Sequence, residues 1–330
     1  MVFYHRYRKN ARVFLEFLNI FLKKAENTPK PQSIVLERLG ESQIMWERRT
    51  DLAAESLDLA KKQKKLLGEE GVHLHERVRG GFPITEVEIV DFAAANTIGK
   101  PPGHYVTVTI SHLRDRFSTA VEILGEEIRA LLPDGVKNVL VIGLGNGELT
   151  ADAIGPLAMG HILPTRHLKD LPFAASLSVH GAEVVGKSGI EAAEQATALT
   201  KTLGAEAVIL IDALAALNVE RLCATVQLAS SGLVPGSGVG NHRMALNEET
   251  LGVPVIAVGV PTVVESAGLV MDLLEEAGVP LPCRDTLRQG FFVTPKDIDA
   301  EVRQFSRLIG WSINAAVLGL SAEDSAALLG

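Results

Sequence analysis

From about residue 139 onward the chain alternates between short apolar runs and longer stretches with helical spacing. Residues 139–144, 207–211 and 253–260 are nearly unbroken apolar runs, the pattern of strands buried on both faces, and residues 225–228 predict a further short strand. Residues 191–203 and 267–276 carry apolar positions three and four apart and predict helices, and residues 295–318 close the chain with one or two more. Upstream, the segment TDLAAESLDLAKKQKKLL (residues 50–67) predicts a helix capped by Thr50 or Asp51, its lysine-rich end matched to the helix dipole. EVEIVD and YVTVTI alternate at period two and predict strands; residues 118–132 predict a helix stopped by Pro133. Strands alternating with helices predict an α/β fold: a twisted, mostly parallel sheet with helices on both faces, plus a smaller N-terminal β-containing portion.

Composition narrows the function classes. The 330 residues are 47% apolar with a net charge of −8, which argues against a domain-wide nucleic-acid surface. Cys223 and Cys283 form no CxxC pattern, so neither a disulfide framework nor a thiolate metal site is expected. The longest apolar run, LGVPVIAVGVPTVV, is too short and too proline-broken to span a bilayer. Residues 1–44 differ from the rest: eight Lys and Arg face four Asp and Glu, a net of +4 that leaves −12 for the remainder. The apolar cluster behind Arg6, Arg8, Lys9 and Arg12 lacks the small-residue cleavage site of a signal peptide. An amphipathic helix on an anionic membrane is one reading; the preferred one takes Met45 as the natural start and residues 1–44 as a basic extension.

Several motifs carry chemistry. Gly143, Gly145 and Gly147 follow a strand, but Glu148 stands where a dinucleotide fingerprint needs glycine. Ser237 lies in PGSGVGN, with Pro235 where a nucleophile elbow needs glycine. Asp152 and Asp212 each follow an apolar strand, the place where an open α/β sheet forms its ligand crevice. Taken singly, each reads as a helix cap. If the two converge, they cannot both ionise freely, so one holds a proton while the other stays basic, the arrangement of a paired-acid hydrolase. His161 and His167 with Asp152 offer a different reading, a divalent metal site, although six-residue spacing fits no tight ligand motif. The loop SSGLVPGSGVGNHR (residues 230–243) reads as an oxyanion-binding nest, a phosphate cradle or a tight turn.

Six strings in one order, VIGLGNGELTADAIGPLA, ILPTRHL, VILIDALAA, TVQLASSGLVPGSGVGN, LNEETLGVPVIAVGVPTVV and VTPKDID, make the chain resemble the spore germination proteases. The resemblance runs from about Arg49 to Leu318. It implies an aspartic-type endopeptidase that degrades small acid-soluble spore proteins, made as a self-processing zymogen, assembled as a homotetramer and needing no cofactor or metal. The implied location is the cytoplasm of a forespore or the spore core, with no direct nucleic-acid partner and no membrane span. The family's two catalytic aspartates match Asp152 and Asp212. The same strings mark Asn146, Arg166, His167, Gly236, Ser237, Gly238, Gly240 and Asn241 as supporting or substrate-binding positions. RRTDLAAE looks like the family's processing region, with cleavage near Asp51 and Leu52. The implied organisation is a basic extension (1–44), a propeptide-like segment (45–51) and one α/β protease domain (52–330). The resemblance extends in fold to the hydrogenase maturation proteases, whose kinship keeps a metal-dependent peptidase as the alternative, beside a non-catalytic phosphate-binding module. The chain departs from the family at Ala151, where proline is usual, and in the VVGKSGIEA segment.

Overall fold

Nine strands join one sheet: β1 (Val72–Arg79), β2 (Phe82–Ile89), β3 (Gly103–Thr109), β4 (Asn138–Leu144), β5 (Ser176–Ala182), β6 (Ala207–Ala216), β7 (Thr225–Ala229), β8 (Val255–Glu265) and β9 (Phe292–Val293). They run in the order β1-β2-β3-β7-β8-β6-β4-β5, with β9 added to β8. The computed structural model describes residues 49–63, 71–110, 113–168, 173, 175–240, 243–279 and 291–329. These belong to one compact unit, Glu47–Gly330. Residues 1–48, with Met45, and also Asn241 and Cys283, lie outside the described residues.

The sheet has two halves. Strands β8, β6, β4 and β5 pair in parallel, and their connections run through helices as a βαβ chain requires. Strands β1, β2, β3 and β7 pair antiparallel and join the parallel half through β7 and β8. The expected N-terminal β portion is therefore a continuation of the main sheet through the β3–β7 pairing.

Both faces are covered, which explains the unbroken apolar strands. Val139 and Val141 of β4 and Ile209 and Ile211 of β6 point to a core shared with helices α3 (Phe117–Leu131), α4 (Ile154–Ala158) and α7 (Ile298–Ile313). Leu140 and Ile142 of β4, with Val208 and Leu210 of β6, point the other way, onto α5 (Ala192–Leu203). On that second face the antiparallel half packs under α1 (Ala53–Lys62) and α2 (Phe92–Ile98). Helices α6 (Ser266–Glu276) and α8 (Ala322–Leu329) complete the set of longer helices. Burial of each such Leu or Ile contributes about 1.5–3 kcal/mol. No helix among the described residues is long and apolar enough to cross a membrane.

Two local expectations change. Helix α1 begins at Ala53 with no side-chain cap, because the Thr50 and Asp51 side chains are engaged elsewhere. Strand β6 runs on to Ala216 instead of ending at Ile211, since Asp212 to Ala216 continue to pair with β8 across a bulge at Leu214 and Ala215. Asp212 is therefore a strand residue and caps no helix.

Candidate active site

The turn after β4 delivers the first aspartate. Gly145 has φ of +113°, and a Cβ there would collide with the main-chain oxygen of Asp152. Glycine thus lets the chain fold back over its own strand end, and the glycine pattern serves that turn. Asp152 closes a 3₁₀ turn, Thr150–Asp152. Fully buried Thr262 of β8 clamps this turn by donating its hydroxyl to Ala151 O at 2.6 Å. The Asp152 carboxylate accepts the Asn146 N–H at 2.7 Å. Burial raises the Asp152 pKa, and that backbone bond opposes the rise.

The second aspartate comes from the neighbouring strand. Asp212 sits on β6, which pairs directly with β4 through Gly143 and Ile211, so the carboxyl ends of the two strands bring the acids to one crevice. Asp212 is 8% exposed, with its Oδ1 accepting from Ala213 N–H at 2.9 Å. Its pKa stands well above the usual carboxylate range, first because of burial, then because of the neighbouring Asp152 and Asp51 carboxylates. Burial raises both carboxyls, Asp212 the more strongly, and coupled acids titrate as a unit.

Asp51 is the third member. Two adjoining clefts of about 540 and 310 Å³ share Asp51 and Asp212 in their walls; Asp152 lines the larger one. Asp51 N–H donates to Ala215 O at 2.8 Å, and Ala215 N–H donates to Asp51 Oδ2 at 2.9 Å. Ser237 Oγ donates to Asp51 Oδ1 at 2.7 Å. A Cβ on Gly238 would strike the Asp51 carboxylate, and one on Gly240 would strike the Arg49 guanidinium. The glycine loop is therefore a seat for the Arg49–Asp51 segment, and its bareness is what makes the room. Leu52, 1% exposed, anchors the next position against Leu214, Ala216 and Val264. Thr50 Oγ1 donates to Glu55, whose carboxylate also accepts Leu217 N–H at 2.7 Å and Asn218 N–H at 2.9 Å.

The expected site residues separate cleanly. Asn146, Gly236, Ser237, Gly238 and Gly240 join the crevice or the seat beside it, Gly236 lining both clefts. Arg166 and His167 do not: both are exposed in a turn closed by Leu168 N–H on Thr165 O, and neither lines the clefts. The three-ligand arrangement of His161, His167 and Asp152 is not assembled, because His161 packs against Gly310 of α7 and lines a separate surface cleft with Arg114, Arg303 and Arg307. No group of three or more His, Cys, Asp or Glu among the described residues is placed to hold an ion. Burial pushes the Cys223 thiol to about 12, which leaves it protonated at neutral pH.

Three positions escaped the sequence reading. Lys100 Nζ donates to Thr50 O at 2.9 Å; Gln227 bonds the main chain on both sides of Leu52; Arg243 pairs with Glu191 at 3.3 Å on the cleft wall. Each is a lone polar residue whose partner lies far away in sequence.

Comparison with known proteins identifies the family. The germination protease family model matches residues 30–276. A germination protease of Clostridium perfringens is 34% identical over 313 residues, covering 83% of this chain and 96% of its own length. One from Caldanaerobacter subterraneus is 34% identical over 320 residues, 85% of this chain and 98% of its own; one from Bacillus cereus is 39% identical over 242 residues, 69% and 66%. Among solved structures, a NiFe hydrogenase maturation protease from Thermococcus kodakarensis KOD1 aligns with a TM-score of 0.34 at 15% identity, covering 57% of this chain and 99% of its own. With the family model and relatives of this identity extending over most of its length, the chain belongs to the germination protease family of peptidases.

Proposed function

We propose that this chain is the endopeptidase that degrades small acid-soluble spore proteins during germination, and that it cuts peptide bonds with the Asp152–Asp212 pair. The observation that carries the reading is that Asp152, Asp212 and Asp51 line one crevice. Asp152 takes a proton from water as general base, and Asp212 gives its proton to the leaving nitrogen. No cofactor enters the reaction.

The same geometry supports a precursor that processes itself. Asp51 lines the crevice, its carboxylate held by Ser237 and Ala215, with Leu52 buried beside it. We read the Asp51–Leu52 peptide as the bond cut, residues 45–51 as the propeptide-like segment, and 52–330 as the protease domain. A homotetramer and a spore-core location are carried over from the family resemblance.

The test incubates the purified chain and its Asp152→Asn variant with a small acid-soluble spore protein, with and without chelator. Chelator-resistant cleavage that vanishes in the variant supports the paired-aspartate peptidase. Cleavage by the variant at the wild-type rate sinks it, and cleavage lost to chelator and regained with a divalent ion points to the metal-dependent alternative.

A further inference from the structure

Gln227 grips the Asp51–Leu52 peptide from both ends. Its Nε2 donates to the Asp51 carbonyl oxygen at 3.0 Å, and its Oε1 accepts from the Ala53 N–H at 2.7 Å. It is 6% exposed in the middle of the buried strand TVQLA, where a polar side chain costs free energy unless its hydrogen bonds are made.

Register places this amide on the same face of the sheet as Asp212. Gln227 lies opposite Gly259 on β8, and Gly259 lies opposite Asp212 on β6. Residues directly opposite share a face, so Gln227 and Asp212 project from the same side of the sheet. At a strand spacing of about 4.7–4.9 Å their backbones stand roughly 10 Å apart, and the Leu214 side chain lies over the bare Gly259 between them. Lys100 and Ala215 hold the adjoining main chain, through Thr50 O and Asp51 N.

Once the residues before Leu52 depart, the Nε2 donor loses this acceptor. A buried donor left open at that point faces the place where the next carbonyl must come.

We propose that Gln227 is a catalytic residue, the side-chain donor that stabilises the oxyanion formed on the scissile carbonyl. The inference rests on the reading that the Asp152–Asp212 pair cuts the Asp51–Leu52 bond. Water oxygen bonds to the Asp51 carbonyl carbon while Asp152 takes one of the water's protons. The carbonyl electron pair moves onto oxygen, where the Gln227 N–H meets the negative charge. The pair then returns, the bond to the Leu52 nitrogen breaks, and that nitrogen takes the Asp212 proton. The products are a carboxyl group on Asp51 and an amine on Leu52, and the proton gained by Asp152 passes back to Asp212.

The test follows self-processing of the full chain by intact mass, at dilutions where the rate does not depend on chain concentration. The peptide is already seated, so this first-order rate reports bond breaking. Gln227→Glu keeps the acceptor for Ala53 N–H and loses the donor once ionised, so its rate is followed across a rising pH series; Gln227→Met loses both at every pH. Thermal unfolding and far-ultraviolet dichroism select the variants that fold, and the near-isosteric Gln227→Glu guards against loss of the fold in Gln227→Met. Expected is a slowing of about 10²–10³-fold in the folded variants, the usual effect of removing one oxyanion donor. If both process within threefold of wild type while Asp212→Asn does not process, the role of Gln227 is overturned and the aspartate pair stands. If the wild type yields no chain beginning at Leu52, or Asp212→Asn processes normally, the underlying reading fails and this inference falls with it.

Discussion

Asp51 and Ala215 exchange hydrogen bonds in both directions: the Asp51 N–H meets the Ala215 carbonyl at 2.8 Å, and the Ala215 N–H returns to the Asp51 carboxylate at 2.9 Å. Ala215 stands three residues beyond Asp212, just past the bulge in the β6–β8 pairing. The strand that presents an acid to the crevice therefore also seats the segment lying in it. Position along β6 fixes the spacing between chemistry and peptide, and a loop would hold that spacing less firmly.

Gly238 is the floor of the seat. A Cβ there would strike the Asp51 carboxylate and come within 2.8 Å of the Ala215 Cβ. Gly238→Ala should displace Asp51 and slow self-processing at least tenfold, with the fold retained. The measurement is the mass-resolved rate of trimming beside a thermal melt; trimming at the wild-type rate would contradict the seat.

Gly145 faces a harder constraint. Its φ of +113° is closed to residues with a Cβ, and the obstacle is the main chain of Asp152, which cannot swing aside. Gly145→Ala should cost at least about 1–3 kcal/mol in stability from backbone strain, and it should displace Asp152 as well. Urea denaturation reads the first effect and peptidase activity the second; a variant with wild-type values for both would show that the turn does not need glycine.

Lys100 belongs to the network that holds the Thr50–Asp51 segment. Burial lowers its pKa while the Asp51 and Glu55 carboxylates raise it, and its ammonium satisfies the Thr50 carbonyl. Lys100→Met should destabilise an unprocessed chain by about 1–3 kcal/mol, the cost of a buried polar group losing its partner. The loss should be smaller in a chain that begins at Leu52, because Thr50 is gone. Melting temperatures of the two forms, the precursor held by Asp152→Asn, decide the matter; equal losses would place Lys100 outside this network.

The central strands were legible because they are buried on both faces and read as continuous apolar runs. Strand β1, VHLHERVR, is an exposed edge and carries almost no pattern; β5, SLSVHGA, also mixes polar with apolar positions. Asp212 closes an apolar run and Asp152 follows one across a glycine turn, and strand ends converge in this fold. Thr50 and Asp51 looked like caps because capping chemistry is local, whereas their actual partners are Glu55, Ser237 and Ala215. Gln227 reads as a lone polar interruption until register sets it opposite Gly259. Arg166 and His167 were drawn in by a matching string, yet their turn faces solvent.

Asp212 ties stability to pH. Burial and two carboxylate neighbours hold its proton to a higher pH in the folded chain than in the unfolded one, where the value is about 3.9. The folded state therefore binds the extra proton between those two values, and stability falls as pH rises through that window. Asp152, also raised, acts in the same sense. Asp212→Asn should flatten the pH dependence and leave the variant more stable than wild type at the upper end of the window. Urea denaturation across a pH series tests this; an unchanged slope would mean that Asp212 carries no raised pKa.

The most direct measurement is the N-terminus of the full chain after incubation in chelator, read by intact mass for wild type, Asp152→Asn and Asp212→Asn. The paired-aspartate account predicts a wild-type product beginning at Leu52 and no such product from either variant. A Leu52 terminus formed by either variant at the wild-type rate, or its loss from the wild type in chelator alone, would contradict the account.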